Sequence, residues 1–256
     1  MTSSTPSTPS TPSTSDVASG LLAALERTGP RPALAWYEEE GRVELSGHVL
    51  ANWVIKSIGH LHDEIALAPG TEVVLDLPAH WKRLVLALAV WSLGGTPRAA
   101  DGVRATAFLP HAPSSVPEVL ISDRPGSGPV EDADEVLAVD PISLAARFSA
   151  ELPPLVHDWA QEVRASSDRL AIALPAWSGP SPEPVDGSDL AEGTPGPPAR
   201  LLVEDDGLDA VPQVLGALLA GGSIVGPASR VDERRAADEQ VTGRACSSQR
   251  RVRPQR

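Results

Sequence analysis

His60, His62, Asp63 and Glu64 crowd two imidazoles and two carboxylates into one short stretch, a set of side chains that could ligate a metal ion. On a helix, however, residues two apart diverge by about 200°, so His60 and His62 point away from each other. His62, Asp63 and Glu64 then read as a solvated helix end, and no metal site is predicted. His80, Trp81 and Lys82, with Arg83 beside them, follow the end of a short apolar run and open another helix. The junction between a strand's C-terminal end and a helix N-terminus is where open α/β sheets bind ligands. These residues are therefore read as cleft candidates; the alternative packs Trp81 on the sheet and leaves His80 solvated. His157 and Asp158, next to Trp159, read as a helix-surface pair. Gly221-Gly222-Ser223-Ile224-Val225 lacks the last glycine of a nucleophile elbow. The sequence contains no H-E-x-x-H, no Walker loop and no strand-borne G-x-G-x-x-G. No catalytic residue is predicted.

The elements that must position these groups are clearest between Leu45 and Pro97. Ser46 is a plausible N-cap, and Leu50, Trp53, Val54, Ile58, Leu61 and Ile65 recur at helical spacing behind it. Pro69-Gly70 breaks the helix, and residues 71–77 read as a buried strand that Pro78 stops. A second apolar helix runs from about Ala79 to Leu93, ended by Gly94-Gly95, and a strand follows at 97–100. Helix, strand, helix, strand is the rhythm of an α/β layer with a mainly parallel sheet and flanking helices. Trp53, Trp81 and Trp91 read as core anchors.

Elsewhere the signals are shorter. A helix is expected over 16–27, and residues 33–38 and 42–45 flank Glu39-Glu40-Gly41 as a hairpin. Strands are expected at 118–122, 135–139, 169–174, 200–204 and 223–225. Helices are expected at 143–148, 155–165, 208–220 and 231–241. The resulting division is a Ser/Thr/Pro tail over 1–15, an α/β domain over 16–174 and a Pro/Gly-rich segment over 175–198. A second α/β unit of the same domain follows over 199–243, and a basic tail over 244–256. That tail is read either as a nucleic-acid or membrane arm, or as a disordered or frame-shifted end.

The Leu45–Pro97 stretch resembles the N-terminal part of the adenylate-forming superfamily, which includes acyl-CoA synthetases, luciferases and peptide-synthetase adenylation domains. The residues that carry the resemblance are Leu45, Ser46 and Leu50; Pro69, Gly70 and Val73; Leu77 and Pro78; and Gly94, Gly95 and Pro97. The wording LDLPAHW, with Trp91, is similar to an uncharacterised actinobacterial family distantly related to those enzymes. The unit over 199–243, through its LGALLAGGSIV (215–225) and DEQVT (238–242) segments, resembles the strand-helix unit that follows the superfamily's phosphate loop.

The resemblance implies a site for ATP or AMP with Mg²⁺, held by a loop near "[ST]-[SG]-G-[ST]-T-G-x-P-K-G". Residues 192–200 (EGTPGPPAR) match it at Gly193, Thr194, Gly196 and Pro198. Gly193, Thr194 and Gly196 are accordingly the nucleotide-binding candidates. The departures are costly. Pro195 removes an N–H donor and a hydroxyl, Ala199 replaces the lysine, and Glu192 places a negative charge beside the expected phosphate. Losing a transition-state charge donor lowers a rate roughly 10²–10³-fold. No counterpart of the later adenine-binding, metal-binding or lid motifs is found.

Composition narrows the partners. A net charge of −13 in 256 residues excludes nucleic acid and anionic membranes as expected partners. Cys246, the single cysteine, allows no intrachain disulfide, no apolar run reaches the length of a bilayer span, and no secretion signal opens the chain; a cytoplasmic location is expected. The function expected from all of this is a shortened, non-catalytic homologue of AMP-forming acyl-CoA synthetases, a pseudoenzyme with a small acyl- or nucleotide-ligand or protein-partner role. The alternatives are an active carboxylate-adenylating ligase with an atypical loop, and an interaction protein that docks on a complete synthetase.

Overall fold

The hydroxyl of Ser46 accepts the Val49 N–H at 3.3 Å and starts helix α2 (Gly47–Asp63) where the spacing of apolar residues predicts it. The computed structural model that shows this describes residues 17–39, 41–100, 118–126, 133–185 and 197–245. Ahead of α2 lie helix α1 (Val17–Thr28) and the antiparallel hairpin of β1 (Pro32–Tyr37) and β2 (Arg42–Ser46). After it, β3 (Glu72–Asp76) leads into α3 (Trp81–Ser92) and β4 (Thr96–Ala99). Every residue of α3 is buried, Lys82 and Arg83 included; a helix apolar nearly all round belongs in a core. Gly94, at φ +73°, takes the left-handed turn that releases the chain from α3 into β4.

The next strands, β5 (Val119–Ser122), β6 (Glu135–Ala138) and β7 (His157–Asp158), join β3 and β4 in a five-stranded parallel sheet of order β4-β3-β5-β6-β7. β7 runs directly into the short helix α4 (Trp159–Glu162). β8 (Arg200–Leu202), helix α5 (Val211–Leu219), β9 (Ser223–Gly226), helix α6 (Glu233–Asp238) and β10 (Gly243–Arg244) complete the described chain. Their strands build a second sheet onto the hairpin, of order β10-β8-β9-β1-β2, parallel except between β1 and β2. The mainly parallel α/β class is as expected, but the strands divide between two sheets. One continuous apolar core joins both sheets through α1, α2, α3 and α5.

Two expected elements do not form and a third is shortened. Residues 143–148 are turns, because the Asp140 carboxylate takes the N–H groups of Ile142 and Ser149 (2.8 Å each) and Asp158 takes that of Phe148. Carboxylates that capture backbone donors compete with helix in this way. The expected helix over 155–165 shrinks to α4, since Leu155 sits at φ +67° and His157–Asp158 is claimed by the β6 edge. Residues 169–174 are irregular. Leu170, Ile172 and Leu174 rest on the core by turns, giving a strand-like alternation with no ladder. The segment at 175–185 is packed rather than free. Ser178 donates to the Trp91 and Gly95 carbonyls, Trp177 lies 5.7 Å from Trp91, and the Glu183 N–H reaches Pro212 O at 2.8 Å. No helix among the described residues is long and apolar enough to cross a membrane.

Candidate functional site

The C-terminal ends of β3, β5 and β6 carry Asp76, Ser122 and Asp140, and α3 starts beside them with His80, Trp81, Lys82 and Arg83. The β1 end of the other sheet contributes Glu38, and the turn after β8 contributes Asp206. This is the edge at which α/β sheets place ligands.

His80 is the N-cap of α3: its Nδ1 accepts the Lys82 N–H at 3.1 Å. The ring proton therefore sits on Nε2, where Glu38 Oε1 and Ser143 Oγ each lie at 3.2 Å. Burial, helped by the Lys82 charge, pushes the His80 imidazole down to about 3, so the ring is neutral at pH 7. Trp81 donates its indole N–H to Ser143 Oγ at 2.8 Å, and Ser143 in turn donates to Glu38. Lys82 Nζ donates to the carbonyls of Asp140 (2.8 Å) and Ile142 (2.6 Å) and lies 5.9 Å from the rings of both Trp81 and Trp159. Burial pushes its ammonium down to about 8, against the opposing pull of Asp140 and Glu38. Arg83 Nε pairs with Asp206 Oδ2 at 2.5 Å, and Nη1 donates to Leu77 O at 3.1 Å.

The cleft candidates are thus brought together, but not as the lining of an open cleft. His80 is buried and capping rather than solvated, and Lys82 and Arg83 are sealed in by backbone carbonyls and a carboxylate. The gap left between Leu77, His80, Lys82, Asp123 and Asp140 amounts to about 10 Å³, enough for roughly one water. Gly193, Thr194 and Gly196 lie outside the described residues.

No family model matches the sequence. A Mycobacterium tuberculosis protein that bears only a family designation is 28% identical over 245 residues, covering 88% of this chain and 96% of that protein. Among solved structures, the acetoacetyl-CoA synthetase of Streptomyces lividans superposes with a TM-score of 0.57 at 17% identity, over 82% of this chain and 38% of the synthetase. The inhibitor-bound N-terminal domain of FACL13 from Mycobacterium tuberculosis gives 0.56 at 13% identity, over 88% of this chain and 61% of that domain. The fold is that of the N-terminal region of adenylate-forming enzymes. The chain spans less than two thirds of the length of those solved structures.

Within this adenylate-forming fold, the tertiary structure assembles groups that the sequence does not pair. Glu38, Asp140, Ser143 and Asp206 all serve the α3 N-terminus from distant positions, and no local spacing signals them. A recess of about 490 Å³, rimmed by Arg147, Phe148, Glu151, Asp158, Gln161 and Glu162, opens beside α4. At its edge, Glu162 Oε2 meets His60 Nε2 at 3.0 Å and His157 Nδ1 at 2.7 Å. His62, by contrast, is exposed and pairs only locally with Asp63, as its helical position implies. His157 and Asp158 form a strand end and an N-cap rather than a helix-surface pair.

Proposed function

We propose that this protein is a shortened, non-catalytic homologue of AMP-forming acyl-CoA synthetases, a pseudoenzyme whose adenylate-forming scaffold serves small-ligand or partner binding. The observation that carries this reading is the fate of the two cations at the start of α3. Their ammonium and guanidinium are consumed inside the protein, Lys82 by two carbonyls and Arg83 by Asp206. A triphosphate needs charged donors presented to solvent and room to enter. The gap beside these two side chains is water-sized, which supports a site that takes no nucleotide. The substitutions in 192–200 (Pro195, Ala199 and the acidic Glu192) support the same reading from the sequence side.

The test is ATP-dependent pyrophosphate release by the full chain with a panel of aliphatic and aromatic carboxylates, run alongside isothermal titration with ATP, AMP and Mg²⁺. No release and no nucleotide binding at millimolar ligand are expected. Carboxylate-dependent release would establish the ligase alternative, with 192–200 as a working loop.

A further inference from the structure

From the convergence of His60, His157 and Glu162 we infer a zinc-class metal site, independent of the functional reading above. Its three ligand atoms, two imidazole nitrogens and one carboxylate oxygen, lie within 4.8 Å of one another. His60 comes from the last turn of α2, His157 from the edge strand β7 and Glu162 from the end of α4. His60 and Glu162 are 102 residues apart in sequence.

Glu162 and His157 each have a polar group behind them, as metal ligands commonly do. Asp158 caps α4 by accepting the Gln161 N–H at 3.2 Å, and its own N–H donates to Glu162 Oε1 at 3.0 Å. One carboxylate oxygen is thereby anchored to the backbone, and Oε2 is left facing the two rings. On the far side of His157, Nε2 lies 3.5 Å from Glu135 Oε2. A proton kept on that nitrogen leaves the Nδ1 lone pair for an ion, the carboxylate–histidine–metal arrangement.

His60 is 1% exposed, and its Nδ1 has no hydrogen-bond partner. Nε2, the nitrogen that faces Glu162, is the one offered to the ion. Tetrahedral zinc with bonds of about 2.0–2.1 Å sets its ligand atoms about 3.3 Å apart. The present 3.0 and 2.7 Å separations therefore need to open by about 0.3 and 0.6 Å to reach that spacing. With three protein ligands the fourth position is open, and the recess beside α4, which Glu162 lines, supplies the path to it.

The test uses the untagged full chain, stripped with a chelator and titrated with Co²⁺, whose visible d–d absorption reports four-coordinate geometry. The expected result is an intense, saturable band at one cobalt per chain, displaced one for one by Zn²⁺. His157→Ala and Glu162→Gln, at partly exposed positions, should each weaken binding at least about 100-fold while leaving the far-UV circular dichroism unchanged. Glu135→Gln should weaken it about tenfold as an orienting group, and His62→Ala, an exposed histidine on the same helix, should bind like wild type. Absence of a four-coordinate band at high-micromolar Co²⁺ would overturn the assignment. So would a band that survives in folded His157→Ala and Glu162→Gln proteins.

Discussion

Arg83 and Asp206, 123 residues apart, form an ion pair of 2.5 Å whose side chains are 2% and 0% exposed. The pair links the first turn of α3, under one sheet, to the turn after β8 in the other. Asp206 Oδ1 also accepts the Leu208 N–H at 3.2 Å. Removing one member of a buried pair strands the other charge, at a cost of roughly 3–5 kcal/mol. Asp206→Asn is therefore expected to lower the urea unfolding midpoint severely, whereas the double variant Arg83→Met/Asp206→Leu should lose less than the sum of the two single changes. A double-mutant cycle from equilibrium unfolding measures the difference.

Glu239 makes an acid-sensitive clasp. It accepts hydrogen bonds from Tyr37 (2.7 Å), Arg42 and Arg200, joining β1, β2 and β8 to the end of α6. Burial pushes its carboxyl up, but these three donors outweigh burial and hold it down at about 2, against an ordinary 4.5. The folded state thus binds a proton less readily than the unfolded chain. The stability gained is complete above about pH 4.5 and is lost as pH falls toward 2. Glu239→Gln should cost about 1.5–3 kcal/mol at neutral pH, and its melting temperature should fall less than that of wild type between pH 4.5 and 2.

Lys82 titrates with the opposite consequence. Its ammonium is held near 8 by burial, against 10.5 in the unfolded chain, so folding disfavours the charged form. Between pH 8 and 10.5 the unfolded chain carries the extra proton, and stability from this group rises with pH. Lys82→Met removes that linkage. The wild-type melting temperature, measured relative to Lys82→Met, should climb as the pH is raised from 8 to 10.5; a flat difference would mean that Lys82 is not desolvated.

Gly216 permits the strap at 175–185 to lie on α5, because a Cβ there would run into the Glu183 carbonyl oxygen. That oxygen belongs to the residue whose N–H bonds Pro212 O. Despite alanine's better helix propensity, Gly216→Ala should destabilise the fold by about 1–3 kcal/mol through overpacking. Limited proteolysis should show faster cleavage within 175–185.

The segment from Leu45 to Pro97 was legible because each of its signals is local. Ser46 caps whatever helix follows it, Pro69-Gly70 interrupts at that place, and the apolar run of α3 requires burial in any compact state. The helix expected at 143–148 and the strand expected at 169–174 were misread for the converse reason. Asp140 takes the backbone donors on either side of the first and Asp158 takes that of Phe148, and the second finds no ladder partner although it alternates like a strand. The cleft candidates were half legible. Their place at a strand-to-helix junction followed from sequence order, but their closure did not.

The sequence by itself determined an α/β chain with parallel βαβ rhythm and a net negative charge. Only the tertiary structure decided that the strands form two sheets and that Lys82 and Arg83 are spent inside the protein. It also decided that His60 meets His157 and Glu162 rather than His62. The physical reason is one of range. Caps, turns and amphipathic periods act over a few residues and leave a pattern in the sequence. The pairing of a buried charge or imidazole depends on which distant segment packs against it, and no local spacing encodes that choice.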